Sequence, residues 1–171
     1  MSLVTKDIRS PVRKIYEPEL TDRIGGWRLR FVVTGNPVSQ KNTKRAGVSK
    51  KGKLFTYSPA RIAKYKADAY KELVGQRNQM AAVAPMLIFP ITIHVVAEYR
   101  IYRSDHRLID QGNATEAVWD ALQAAGIVEN DYLIIPRALG PIEYDKQNPR
   151  IEVTLQPYSP QGGPSDVAKS K

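Results

Sequence analysis

The sequence has no cysteine, and only two histidines occur in its 171 residues. The first absence excludes a disulfide scaffold, Cys-ligated zinc and a thiol nucleophile. Two histidines, His94 and His106, are too few for a His-built metal centre and argue against a conventional hydrolase triad. No apolar run reaches the roughly 18 residues that span a bilayer, and the opening MSLVTKDIRS lacks the apolar core of a signal peptide. The expectation is a soluble, cytoplasmic protein with no membrane partner. Acids are also scarce, 17 against 26 Lys plus Arg, so the formal charge is +9 and the pI about 9.8. Such a balance favours a polyanionic partner and leaves carboxylates, Lys, Ser and Tyr to carry any chemistry.

Composition divides the chain into a polar, Pro-interrupted segment 1–24, a domain 25–157 and a Ser/Gly/Pro/Lys-rich tail 158–171. Neither end holds enough apolar surface to order itself, so flexible termini are expected. Within the domain, Trp27 to Thr34 alternates and then turns β-branched between Gly25-Gly26 and Gly35-Asn36-Pro37, which predicts a strand. A basic loop, Ser39 to Lys53, precedes a short strand, Leu54 to Tyr57. Ser58-Pro59 reads as a cap followed by a first-turn proline. Ile62, Tyr65, Ala69, Leu73 and Val74 then form the apolar stripe of a helix over about 59–81.

Met86 to Tyr99 is the strongest strand signal, with Pro90 marking a start, an edge or a bulge. Asn113 as cap, with Glu116 at the third helical position, predicts a second helix. Its buried stripe is Val118, Ala121, Leu122 and Ala125, and Gly126 sits just past its end. Strands at Tyr132 to Ile135, continuing toward Tyr144, and at Arg150 to Leu155 complete the order. The predicted class is α+β, a mixed β-sheet with two helices packed on it, without internal repeats.

Charge is unevenly placed along this order. Lys41 to Glu72 holds ten basic residues against Asp68 and Glu72, a local +8. Asp105 to Asp131 holds six acids against Arg107, a local −5. A metal-dependent nuclease needs this division, because cations hold phosphates while clustered carboxylates bind Mg²⁺. Solvated loops and helix-capping acids would produce the same division without function.

The stretch Asp110-Gln-Gly112-Asn113-Ala-Thr-Glu116-Ala-Val-Trp-Asp120-Ala-Leu122-Gln-Ala-Ala-Gly126-Ile-Val-Glu-Asn-Asp131 resembles the RusA family of Holliday junction resolvases. That family's signature is Asp-x-Asp-Asn, a Lys, Asp-Ala-Leu, a Gly-hydrophobic pair and a closing Asp-Asp, and the spacings fit without a gap. Gly35-Asn-Pro37-Val-Ser39-Gln-Lys41, with Lys44-Arg45, Phe55-Thr-Tyr57 and Tyr65 beyond it, is similar to the family's basic loop and first helix. Asn148-Pro149-Arg150-Ile-Glu-Val is similar to its last strand.

The resemblance runs from about 28 to 156 and implies a RusA-like fold. It also implies a homodimeric, Mg²⁺-dependent endonuclease, with Mn²⁺ as a substitute, that nicks four-way DNA junctions in recombination and repair using Asp residues from both subunits. Carried over position by position, Asp110 and Asp131 are metal ligands and catalytic residues, and Asp120 is the Asp of Asp-Ala-Leu. Lys41, Lys44, Arg45, Lys50, Lys51 and Lys53 form the DNA-binding loop. Two positions depart from the pattern: Gly112 replaces the second motif Asp, and Glu116 replaces the motif Lys.

Either Glu116 serves as a substitute metal ligand or it caps the helix, and Asp105 and His106 are alternative sources of ligands. Asp131 and Asp110 also suit turn and helix-start positions, and Asp120 suits a paired surface acid. The alternative function is a catalytically impaired protein of the same fold that binds branched DNA without cutting it. His94 reads as a packed or hydrogen-bonded histidine, Trp119 as a core or dimer contact, and Tyr57, Tyr65 and Tyr70 as candidates to touch DNA, although Tyr65 also falls on the apolar stripe of its helix.

Overall fold

The computed structural model describes residues 19–20, 27–39, 45–48, 51–57 and 59–160. Strands β1 (Glu19–Leu20), β2 (Trp27–Thr34), β3 (Arg45–Val48) and β4 (Leu54–Tyr57) precede helix α1 (Ala60–Val83). Strand β5 (Val95–Arg103), helix α2 (Gln111–Ala124), a 3₁₀ turn (Asp131–Leu133) and strands β6 (Ile134–Ala138), β7 (Glu143–Tyr144) and β8 (Arg150–Pro157) follow. The main sheet runs β1-β2-β8-β5-β6, with β7 continuing beside β5. β6 and β7 lie parallel to β5 and the other pairs are antiparallel, so the sheet is mixed as the α+β reading requires. Strands β3 and β4 form a separate hairpin.

Period-two alternation decides which face is covered. Leu29, Phe31 and Val33 of β2, Ile151, Val153 and Leu155 of β8, and Val95, Ala97, Tyr99 and Ile101 of β5 are all buried. They join the stripes of α1 (Ile62, Tyr65, Ala69, Leu73, Met80) and α2 (Ala114, Ala117, Val118, Ala121, Leu122) in one core. The opposite face carries an ion-pair ladder, Arg28 to Glu98 at 2.9 Å, Arg30 to Glu152 at 2.8 Å and Arg150 to Asp145 at 2.8 Å. Arg150 also lies 3.7 Å above the ring of Tyr102. The cations on this face are therefore largely neutralised.

Beyond the short β1, the outer edge of β2 would leave backbone groups unpaired. Side chains of α1 close it: Gln76 accepts from Val32 N–H at 3.0 Å and donates to Val32 C=O at 2.6 Å, and Glu72 accepts from Thr34 N–H at 2.8 Å. This explains a buried glutamine in the α1 stripe, since an edge covered in this way keeps its hydrogen bonds and cannot recruit another strand.

Several boundaries differ from the sequence reading. Residues 86–94 are irregular, with the Phe89–Pro90 peptide cis, and the strand begins at Val95. Pro90 cannot donate to a ladder, and Met86 and Ile88 stay exposed, so the apolar run there pairs through Ile91, in an isolated parallel bridge to Val128, rather than as a strand. His94 consequently stands exposed ahead of the strand, its C=O accepting from Tyr158 N–H. Part of the expected basic loop forms β3. Glu19–Leu20 pairs with Trp27 and Arg28 inside the segment expected to be unordered. Pro59 is itself the cap residue of α1 and makes no side-chain cap bond; Ser58 lies outside the described residues. Residues 1–18 and 161–171, the bulk of the two expected flexible ends, also lie outside them.

Tyr65 packs beneath Gly35, whose φ of +95° favours glycine, although a Cβ there would meet the ring only at an ordinary 3.7 Å. Its hydroxyl is buried without a hydrogen-bond partner among the described residues. Burial, with the nearby charge of Glu72, pushes this phenol well above its ordinary range. Tyr65→Phe should therefore leave stability unchanged or raise it by up to about 1 kcal/mol. Urea denaturation checks this, and a loss of stability would expose a partner for the hydroxyl.

Candidate functional site

The site is organised by the end of β5 and the two ends of α2. Arg103 takes the inward position that continues Tyr99 and Ile101, and is buried at 6% exposure. Its Nη1 donates to Pro37 C=O at 2.9 Å, while Nη2 and Nε donate to Asp105 Oδ1 at 2.8 and 3.1 Å. Asn36 donates to Asp105 Oδ2 at 3.1 Å and accepts from Ser104 N–H. Asp105 also accepts from Arg107 N–H. The Arg103 hydrogen bonds, chief among these contacts, hold the Asp105 carboxyl below the usual carboxylate range. Both oxygens of Asp105 are thus engaged in a latch joining the β2 exit to the loop before α2. His106 stacks on Tyr144, with ring centroids 4.0 Å apart.

Asp110 follows this loop in an extended conformation and is the cap of α2, its Oδ1 accepting from Asn113 N–H at 2.9 Å. The expected cap at Asn113 is corrected accordingly: Asp caps as well as Asn, and the backbone turns helical at Gln111. Asn113 becomes the third helical residue and Glu116 lies beyond the first turn, where it cannot close a capping box. Glu116 is exposed and makes no hydrogen bond or ion pair among the described residues. It lies one turn after Gly112 on the same face, and a Cβ at Gly112 would stand 3.2 Å from Asp110 Oδ1. Asp120, four residues further, accepts from Lys66 of α1 at 2.9 Å, so this acid ties the two helices together. Trp119 packs edge-on against Tyr99, a core contact.

Helix α2 ends as the sequence indicates. Gly126 adopts φ +65°, Gly126 N–H donates to Gln123 C=O and Ile127 N–H to Leu122 C=O, a Schellman ending sealed by the buried Leu122 and Ile127. Asn130 then caps the 3₁₀ turn that opens with Asp131, whose N–H donates to Gln123 Oε1 at 3.3 Å. The Asp131 residue is exposed near the C-terminal end of α2.

Asp110 therefore caps the start of a helix of 14 residues, which spans about 20 Å at ~1.5 Å per residue, and Asp131 follows beyond its other end. No group of three or more His, Asp or Glu among the described residues stands close enough to hold a metal ion. As donors the exposed carboxylates suit a hard cation such as Mg²⁺, and within one chain they are held apart.

Of the expected DNA-binding residues, Lys51 and Lys53 are exposed around the tip of the β3–β4 hairpin, where Gly52 turns with φ +76°. Arg45 begins β3 opposite Tyr57. Lys41, Lys44 and Lys50 lie outside the described residues. Tyr70 is half-exposed on α1. The structure adds Arg103, Asn36 and Tyr144 to the residues around the site. Arg103 was detectable in principle as the one charge at an inward position of the β5 alternation.

This is an α+β chain with Asp110 capping its second helix and Asp131 beyond that helix's end, and with a basic hairpin that forms a two-stranded sheet of its own, an arrangement suited to a polyanionic substrate. The family model described as Endodeoxyribonuclease RusA matches residues 34–156, and the chain belongs to that family. A search of curated proteins found no match. Among the described residues no helix is long and apolar enough to cross a membrane.

Proposed function

We propose that the protein is a homodimeric, Mg²⁺-dependent endonuclease that resolves four-way DNA junctions in recombination and repair. What supports this reading is that Asp110 and Asp131 keep the spacing of the motif the sequence resembles, while α2, about 20 Å long, lies between them. A pair so separated in one chain meets if two α2 helices run antiparallel across a dyad, placing Asp110 of one protomer beside Asp131 of the other. Two such sites then face two strands of a symmetric junction.

Glu116 completes the donor set. Side chains on a helix lean toward its N-terminus, so this longer acid reaches back toward the space left at Gly112, where the family has an Asp. When bound, Mg²⁺ supplies charge neutralisation at the phosphate and a more acidic water. The chain's own residues do the rest. The capping bond to Asn113 N–H fixes the Asp110 carboxylate, the Arg103–Asp105 latch fixes the loop that delivers it, and the Asn130 cap fixes Asp131. The Lys residues of the hairpin contact phosphates without reading sequence, which suits recognition of a branch by shape.

The test is cleavage of a labelled four-way junction beside a linear duplex of the same sequence, with and without Mg²⁺ or Mn²⁺. Metal-dependent nicking confined to the junction supports the proposal. Salt-sensitive junction binding with no nicking under either metal would instead identify a binding protein whose chemistry was lost with the Asp at 112 and the Lys at 116.

A further inference from the structure

The loop before α2 and the segment around β7 enclose an open cavity of about 410 Å³ that no step above uses. Both sequence neighbours of Asp110, Ile109 and Gln111, line it, so it adjoins the carboxylate proposed to sit at the scissile phosphate. Its walls carry the stacked His106–Tyr144 pair, with interplanar angle 21° and Tyr144 still 50% exposed. Leu108 stands fully exposed on the same lining, at 102%, and Arg107 beside it is exposed. An aliphatic side chain and two aromatic rings left in water beside a phosphate-binding position are poorly explained as packing.

We propose that this cavity is a nucleobase subsite: it takes one unpaired base from the DNA strand whose phosphate lies at Asp110. The inference rests on the proposed nuclease reading. The volume lies within the ~300–1,000 Å³ range of small-molecule sites, enough for a base and part of its sugar. Every base has a π-face, so a planar His–Tyr stack accepts any of them, and the apolar Leu108 side chain offers a second contact. Among the polar groups on the lining, Asp105 is held by Arg103, the Gln111 amide donates to Gly140 C=O and Glu143 faces Arg100, while the exposed Arg107 is placed to meet a phosphate or a base edge. The subsite therefore holds the base chiefly by stacking on the two rings. A base is available to enter only where pairing is interrupted, so the subsite favours a branch point over continuous duplex, where extrusion costs a few kcal/mol.

The experiment uses the full-length protein and four-way junctions carrying a single 5-iododeoxyuridine at successive positions around the crossover, irradiated without divalent metal and mapped by mass spectrometry. The expected result is a crosslink to Tyr144 or His106 from one position next to the nick site. Tyr144→Ala should weaken junction binding about tenfold while Tyr144→Phe binds as wild type. A wild-type enzyme that nicks junctions, yet gives no crosslink to either ring and binds unchanged as Tyr144→Ala, overturns the subsite and leaves the nuclease reading standing. A protein that neither binds nor nicks junctions overturns both.

Discussion

Asp131→Asn and Asp110→Asn should each reduce metal-dependent junction nicking by about 10³-fold or more, the scale lost when a charge-stabilising group is removed from a hydrolytic site. The substitutions keep size and hydrogen-bonding shape while removing charge. At Asp110 the side-chain carbonyl of Asn still accepts from Asn113 N–H, because Asn caps as well as Asp. Asp131 is exposed and its structural bond is made by the main chain, to Gln123. Folding should survive in both variants, checked by circular dichroism and thermal melting. Junction affinity should hold or rise slightly, since each change removes negative charge facing DNA. Parallel loss of binding and nicking would mean that the acids support structure rather than chemistry.

The second large effect concerns stability. Arg103→Ala should destabilise the fold by about 2–4 kcal/mol, because it strips a buried guanidinium from Asp105 and Pro37 C=O and leaves the partly buried carboxylate with weaker compensation. For a domain of this size the melting temperature should fall by about 5–15 °C. Arg103→Lys should recover only part of the loss, as one ammonium cannot serve the three contacts of a planar fork. An unchanged melting temperature in Arg103→Ala would remove the latch from the account and with it the reason why the loop before Asp110 is held.

Legibility from sequence followed the kind of interaction involved. The stripe Ile62, Tyr65, Ala69, Leu73, the alternation of β2 and β8 and the Gly126 ending were readable because each is a local periodic or conformational signal, and each is present as expected. Pairing partners were not readable. The parallel placement of β6 beside β5 and the use of Gln76 to close the β2 edge depend on contacts between residues far apart in sequence. The start of α2 was misplaced because Asp110 and Asn113 both qualify as caps, and only the backbone distinguishes them. That three-residue shift matters to the proposed site, since it frees Glu116 from a capping role. Asp110, Glu116, Asp120 and Asp131 were visible as a spaced set, but spacing along a chain does not show that a helix lies between two of them. The Arg103–Asn36–Asp105 latch joins three segments and left no linear trace beyond a charge at an inward strand position.

The most direct test of the proposed assembly across a dyad is nicking by mixed dimers. Asp110→Asn and Asp131→Asn chains bearing different tags would be co-expressed, the mixed species isolated through both tags, and its products counted on a junction labelled in all four strands with Mg²⁺ present. A site shared between protomers leaves one site of the mixed dimer with both substitutions and the other with none, so the account predicts single-strand nicks from a pair of parents that are each inactive. A mixed dimer as inactive as its parents, beside a wild-type protein that nicks in pairs, would show that Asp110 and Asp131 act within one chain and would contradict the account.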